Sequence, residues 1–465
     1  MERHVRSRWI LGLALLIAGG TARADDAVEL RPRERVGDSS RVAVELRASG
    51  SFLQAAPASA STDPKAKTAK PAPEPTRLAL DVAMKLEFDE KLLAVGEDGG
   101  ATKSVRHVSR ASSAINGQVR PMSASIRPEV SLLVAQESPQ RGLVVFSPGG
   151  PLLRSELEVV QGPADPLQLD ALLPGKTLKV GDEWNLSNDA AKSLTGYDAL
   201  ATNGLVARVD SADAAAAECS FKGTVRGAVL GGEGTMECAG TFRFDRERGR
   251  IAKLRVERSE VRKPGQIEAG LDVKSTLSVE RVPADAPPEL AASTLEKIRL
   301  DLEPSAELLS FRSPDGKYTL LHDRDWHIAW DSDRLSVLKR LDRGGDLVAQ
   351  CNLQRGPNLG KGNRQSPTQF RNELRKGLGE RFVAILGEGE IESTAERGSA
   401  YKITVQGREG EVGVLWYYYL LASPEGEQML ATFTLGLSQQ KTLGNGDLQL
   451  IGSLDWISAS ESTSR

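Results

Sequence analysis

Apolar and polar residues alternate with a period of two through much of this chain. Arg41-Val42-Ala43-Val44-Glu45-Leu46-Arg47 and the run from Leu78 to Phe88 both read as half-buried strands. The alternation is most sustained over residues 201–282. There Ala217, Cys219, Phe221 and Val225 share one face, with Glu218, Ser220, Lys222, Thr224 and Arg226 on the other, and Met236, Cys238, Gly240, Phe242 and Phe244 repeat the arrangement. Turns at 245–249 and at Lys263-Pro264-Gly265 lead into Ile251 to Arg258 and Leu271 to Val282. This pattern predicts an antiparallel meander with one buried and one solvated face.

Elsewhere the pattern is mixed. Residues 105–116 fit a short helix, Gly142 to Phe146 fits a strand, and Pro151 sits at a first helical position for a segment running to Val160. From Leu172 a Pro-Gly turn, a short strand and a Gly-Asp turn lead to Trp184, expected as a structural anchor, after which Asn188 or Asp189 caps a helix through Leu194. Residues 55–76, rich in Ala, Pro, Lys, Ser and Thr, read as a disordered loop inserted between two strands of one sheet, at little entropic cost. Residues 283–303, with Pro287-Pro288 and a short helix from Glu289 to Ile298, read as a linker. The expected class is α+β: a β-rich curved-sheet domain over 25–282, the linker, a second module over 304–460 and a tail, 461–465.

The first 24 residues change the picture of where the chain works. Arg3, Arg6 and Arg8 precede a short apolar run, Ile10 to Ala18, and Ala22-Arg23-Ala24 is a small-x-small cleavage motif, so a signal peptide cleaved after Ala24 is expected. The run is about half the ~20 residues a membrane span needs, so no stable span is expected, and the protein is placed in the periplasm or outside the cell. No Cys follows the motif to carry a lipid. Without residues 1–24 the chain holds 56 basic and 62 acidic residues, a net charge of about −6, which argues against a nucleic-acid partner. Aromatic residues make up 5% of the chain and there are 45 glycines, which suggests many short strands hung on a few aromatic anchors. An oxidising compartment permits a disulfide between Cys219 and Cys238. A hairpin turn at Gly231-Gly232 would instead set them roughly 20 Å apart, beyond the ~7 Å Cα limit of a bridge, so both arrangements stay open. Cys351 reads as a small core residue.

The last third has its own character, with Trp326, Trp330, Trp416 and Trp456 and the run Tyr417-Tyr418-Tyr419. Ser310-Phe311-Arg312-Ser313-Pro314-Asp315-Gly316 is followed by Asp325-Trp326, the Cys351 strand, a helix start at Ser366-Pro367-Thr368-Gln369-Phe370, four strand-like runs and Ile451-Gly452-Ser453-Leu454. That order, over about residues 306–460, resembles the PsbP-like fold, an α/β/α sandwich around an antiparallel sheet. The resemblance implies an adaptor or accessory module without catalysis and carries over no site residues. The Val-Gly-Asp-x-Trp element, helix and long meander of the first domain resemble exported half-barrel proteins of the LolA/LppX kind. This implies a curved sheet whose apolar concave face either holds acyl chains or is filled by the protein's own helices.

Candidate chemistry is sparse. His322 and His327 lie in His-Asp-Arg-Asp-Trp-His, but their spacing puts the rings on opposite faces of a strand and no third ligand is near in sequence, so the segment reads as a solvated turn around an anchoring Trp326. Ser147-Pro148-Gly149-Gly150 is Gly-rich, yet Pro148 lacks an amide that a phosphate cradle would use. The pairs Asp323/Asp325 and Glu388/Glu390 have the residue types of a glycosidase without its aromatic platforms. No nucleophile elbow, phosphate loop or dinucleotide fingerprint occurs. No catalytic, metal or cofactor residues are therefore assigned. The leading expectation is an exported non-catalytic binding or interaction protein of unknown ligand, its partner an unknown protein or an apolar small molecule. The alternatives are a carrier of a lipid or other apolar small molecule, and a hydrolase with a dispersed site.

Overall fold

The computed structural model describes residues 27–54, 75–117, 122–139, 141–391 and 398–457. The expected signal segment and nearly all of the expected 55–76 loop lie outside them. The chain begins with β1 (Ala27–Leu30), β2 (Ser39–Gln54), β3 (Thr76–Val95), β4 (Ala101–Gly117), β5 (Met122–Ser125), β6 (Leu132–Ser138), β7 (Gly142–Phe146) and β8 (Leu152–Leu153). After α1 (Arg154–Val160) and a 3₁₀ segment (Pro166–Leu172) come β9 (Lys176–Lys179), β10 (Glu183–Asn185) and α2 (Asn188–Thr195). The meander follows as β11 (Ala199–Asn203), β12 (Val206–Ala212), β13 (Ala216–Val229), β14 (Gly232–Asp245), β15 (Arg250–Arg262) and β16 (Gly270–Pro283). Together the two halves build one antiparallel sheet in the order β10-β12-β13-β14-β15-β16-β2-β3-β4-β6-β7.

Expectation and structure differ in instructive ways. Residues 105–116 belong to β4, because Val105, Val108 and Ala111 are buried on the strand while β3 supplies hydrogen-bond partners along its length. The strands are long, 16, 20 and 17 residues for β2, β3 and β4, since each pairs with a neighbour of similar length. Gln54 pairs with Thr76, so whatever lies between joins two strands of one sheet. The cap of α2 is Ser187, whose hydroxyl accepts from the Ala190 amide at 3.0 Å, and Gly196 ends the helix in the left-handed region. The β13–β14 turn is Leu230-Gly231, one residue earlier than expected. Cys219 faces Phe242 and Cys238 faces Gly223, which separates the two thiols by four residues along the strands, about 13 Å. Both are free and buried, so the bridge that export would permit is prevented by register.

One sheet face carries the main core. Phe88, Phe242, Phe244, Leu254, Val256 and Leu277 pack beneath Leu157 and Val160 of α1, Leu167 and Leu169 of the 3₁₀ segment, and Ala190 and Leu194 of α2. The Trp184 indole donates to the Leu172 carbonyl at 3.1 Å and its ring meets Phe242 edge-on at 6.4 Å. On the reverse face, the linker strip with α3 (Ala292–Leu295) covers only the β4-β6-β7 end. Leu290 and Leu295 seat against Val105, and Leu300 and Leu302 against Val134, Val144 and Phe146.

The second unit comprises β17 (Leu309–Arg312), β18 (Tyr318–His322), β19 (Trp326–Asp331), β20 (Leu335–Leu341), β21 (Leu347–Arg355), α4 (Pro367–Leu378), β22 (Phe382–Ile391), β23 (Ser399–Glu409), β24 (Val412–Ala422), β25 (Gln428–Gly436), α5 (Gln440–Leu443), α6 (Gly446–Gly452) and β26 (Asp455–Trp456). Its antiparallel sheet runs β19-β20-β21-β25-β24-β23-β22. Tyr417 and Tyr419 pack on one face with Trp326, Phe433 and the helical residues Leu443, Leu450 and Ile451. Trp416 and Tyr418 point the other way, onto Phe370 and Leu378 of α4. Trp326 is 1% exposed and meets Phe433 edge-on at 5.9 Å.

The two units are bound to each other through the segment that the sequence presents as a solvated turn. His322 is 2% exposed, because β8 of the first unit pairs in parallel with β17 of the second beside it. Arg154 donates to the carbonyls of Arg324 and Trp326, both at 2.7 Å. Arg324 reaches back to the Val145 carbonyl at 2.6 Å and the Gln161 side chain at 3.1 Å, and donates to the Glu307 carbonyl of its own unit at 3.1 Å. A second contact lies at the hairpin tips, where Gly345 (φ +83°) comes so close to Gly231 that a Cβ on it would sit 2.1 Å from the Gly231 nitrogen. Among the described residues no helix is long and apolar enough to cross a membrane.

The reciprocal arginines make a specific expectation. Arg324→Ala leaves three acceptors at the interface without their donor and is expected to cost about 2 to 4 kcal/mol. In urea denaturation this should split one transition into two as the units undock, whereas an unchanged curve would show that the arginine does not hold them together.

Candidate binding face

The concave region left open is the polar face of the first sheet, behind the helices. It forms a trough of about 1620 Å³, lined from β10 and β12 on one side to β3 and β4 on the other, with a smaller hollow of about 630 Å³ continuing along the same face. The apolar face, where the sequence-level alternatives placed an acyl chain, is filled by α1, the 3₁₀ segment and α2.

Because neighbouring strands stay in register, the trough floor is a grid. One row runs Thr224, Glu237, Ser259, Lys274, Ser49, Asp81, Asn116 across β13, β14, β15, β16, β2, β3 and β4. The adjacent row runs Lys222, Ala239, Glu257, Thr276, Arg47, Ala83, Ala114 across the same strands. Within each row charges alternate in sign on every second strand, about 10 Å apart, with Ser, Thr or Ala between them. No Trp or Tyr lines the trough.

The two ends of the polar face treat charge differently. Next to the smaller hollow the charges are satisfied in pairs: Glu218 with Arg243 at 2.5 Å, Lys253 with Glu280 at 2.7 Å, and Glu45 with Lys85 at 3.0 Å. In the trough, among the described residues, Lys222, Glu237, Lys274, Arg47 and Asp81 have no ion-pair partner within 4.0 Å, while Glu257 is tied along its own strand to Arg255 at 3.5 Å. Small residues on the intervening strands keep direct cross-strand pairs from forming, so these charges remain available to a ligand.

Titratable groups also gather at the far end of the sheet, but under the surface. Arg106 binds Asp165 with both terminal nitrogens at 2.7 and 2.6 Å and Glu90 at 3.0 Å. Arg281 contacts Glu34 at 2.9 Å and Glu90 at 3.5 Å, and Arg250 lies 3.8 Å from Glu34. The side chains of Arg106, Arg281, Glu34 and Glu90 are at most 1% exposed, and none lines either hollow. This cluster ties residues 31–38 and the 3₁₀ segment to the sheet. Asp170 lies at its margin with Oδ1 enclosed and lacking a hydrogen bond. Burial, opposed by Arg281 and reinforced by Glu34, pushes its carboxyl up to about 7.

The other sequence candidates fall apart in space or into ion pairs. His322 ends β18 and His327 lies in β19, strands of different sheets, and burial brings both imidazoles down to about 4. The His322 Nδ1 lies 2.8 Å from the Asp323 carbonyl oxygen. Asp325 pairs with Arg141 at 3.1 Å, Glu388 with Arg371 at 2.6 Å and Glu390 with Arg364 at 3.0 Å. Among the described residues no group of three His, Cys, Asp or Glu converges to hold a metal ion. The trough is not evident from the sequence, whose resemblance to half-barrel proteins points to the apolar face. The signal was present in the small-residue and charge alternation of 218–226 and 233–243, but only the order of strands turns it into rows.

No family model matches the chain, and no curated protein matches it. Among solved structures, a Bacteroides thetaiotaomicron protein is similar at 13% identity over 33% of this chain, with a TM-score of 0.24; this chain covers 49% of it. DynF from the dynemicin biosynthesis pathway of Micromonospora chersina aligns at 8% identity over 62% of this chain and 96% of its own, with a TM-score of 0.14. The translocator domain of the autotransporter NalP from Neisseria meningitidis aligns at 7% identity over 86% of this chain and 88% of its own, with a TM-score of 0.10. Likenesses at this level carry no argument about fold or function.

The buried cluster makes a pH expectation. Between the ordinary Asp value near 4 and about 7 the unfolded chain has lost a proton that folded Asp170 retains. Its contribution to stability is therefore present in acid and lost as pH rises through that window. Asp170 keeps partial solvent contact, so the effect is expected to be roughly 2 kcal/mol. Denaturation of Asp170→Asn at pH 5 and pH 8 should show that part of the pH dependence removed. A slope equal to that of the unsubstituted protein would refute the assignment.

Proposed function

We propose that this chain is an exported, non-catalytic binding protein that holds a polar ligand in the trough of its first domain. The observation that carries the reading is the set of unpaired charges on a concave, hydroxyl-rich sheet face beside a region of the same face where every named charge is paired. Export rests on the basic, apolar and small-x-small pattern of residues 1–24. The C-terminal unit is read as a PsbP-like module, supported by a sheet with helices on both faces, and its role is to brace the first domain at two places. A lipid would have to displace α1 and α2 to reach the apolar face, and an acid–base reaction would need a cluster open to solvent; the polar trough needs neither.

The reading is tested by thermal shift against a panel of saccharides, amino acids, short peptides and fatty acids. A ligand of the trough should raise the Tm of the unsubstituted protein and not that of Ser259→Trp, which fills the floor, with circular dichroism confirming that the variant folds. Fatty acids should leave the Tm unmoved. A ligand that stabilises both proteins equally would place binding elsewhere.

A further inference from the structure

We infer that the trough takes a polyhydroxylated polymer carrying both cationic and anionic groups, namely a zwitterionic polysaccharide. This rests on the trough being the binding site and goes on to name its ligand by chemistry.

Three features of the floor narrow the class. The first is charge. Glu237, Lys274 and Asp81 stand two strands apart in one row, so a bound chain lying across the strands meets negative, positive and negative groups in turn, about 10 Å from one to the next. In the neighbouring row Lys222, Glu257 and Arg47 give the opposite sequence, displaced by one strand. A uniformly anionic polymer such as a nucleic acid would meet repulsion at every second charged position. A ligand with amine and carboxylate groups on one chain can satisfy both signs.

The second feature is hydrogen bonding. Beside and between the charges stand Ser220, Thr224, Ser259 and Thr276, each with a hydroxyl that donates and accepts and that has no partner among the described residues. A sugar chain presents the same dual capacity at each hydroxyl. The third feature is what the floor lacks. Cores of protein–protein interfaces are enriched in Tyr, Trp and Phe and depleted in Lys, Glu, Ser and Ala, and their energetic centres are aromatic residues seated in pockets. The rows have the depleted composition, and Phe221, under the trough, points with Phe242 into the main core. The floor therefore suits a hydrated, ionic polymer better than the apolar patch of a protein. The curved sheet spans about 34 Å from β12 to β4 at ~4.8 Å per strand, room for several sugar residues in an extended chain.

The test uses the full chain and three soluble polysaccharides of matched length: an alternating glucuronate–glucosamine polymer with free amines, the same polymer N-acetylated so that only the carboxylates remain charged, and neutral dextran. By isothermal titration the free-amine polymer should bind at least tenfold more tightly than either of the others. The double variant Glu237→Gln/Lys274→Gln should lose tenfold or more in that affinity, and Arg243→Gln, in the paired region, should lose less than twofold. Equal affinity for the free-amine and N-acetylated polymers, or equal affinity of the double variant and the unsubstituted protein, overturns the inference. If no polysaccharide binds while a peptide from the thermal-shift panel binds and Ser259→Trp abolishes it, the polysaccharide assignment fails and the trough remains the site. If Ser259→Trp abolishes no binding at all, both readings fail.

Discussion

Register across seven long antiparallel strands is the constraint on which the rest of this molecule depends. A strand has two faces, and a slip of one residue would exchange them along its whole length. Here Phe88, Phe242, Leu254 and Leu277 all fall on the helix-covered side. Lys222, Glu237, Lys274 and Asp81 consequently all fall on the other, in rows perpendicular to the strands. The same register that buries one side to build a core writes the charge pattern of the opposite side. It also places Cys219 and Cys238 too far apart to react, although both are on one face and in adjacent strands.

The edges and ends of so large a sheet need restraint, and the chain supplies it with a buried charge cluster and with a second folded unit. Arg106, Arg250 and Arg281 are enclosed with Glu34, Glu90 and Asp165, with Asp170 at the margin. Removing one partner from such a cluster is costly because the remaining charge stays buried. The second unit makes two separate contacts: the hairpin tip at Gly231 rests on Gly345, while Arg154 and Arg324 exchange hydrogen bonds with backbone carbonyls across the interface near β7. Arginine suits this place because its planar fork satisfies several carbonyls at once. Two separated contacts restrain a domain far more than one, which keeps the trough in a fixed shape behind them.

A polar trough is consistent with a core that is already complete. Burial of the apolar face accounts for the hydrophobic stabilisation of the sheet, so nothing on the outer face is required for folding beyond remaining soluble. Residues there are free to be chosen for a ligand. Paired charges near Arg243 and Lys253, set against unpaired ones near Lys222 and Lys274, show that the two regions are built differently within one continuous face.

Much of the architecture is legible in the sequence, because alternation is a local signal. The meander from 201 to 282 and the strand alternation of Arg41 to Arg47 and Leu78 to Phe88 follow from spacing alone. Three matters needed tertiary structure. Whether 105–116 is helix or strand depended on β3 lying alongside it, since its apolar residues fit either period over so short a run. The His322 to His327 segment is as polar as any surface turn, and only the docking of β8 on β17 sets it against the first unit and encloses His322. The trough depends on strand order above all: β2 pairs with β16, more than 200 residues away, and no local pattern shows that Ser49 will stand beside Lys274. The chain by itself determined which residues share a face; only the assembled sheet decided which rows they form, because rows are made by hydrogen bonds between distant strands.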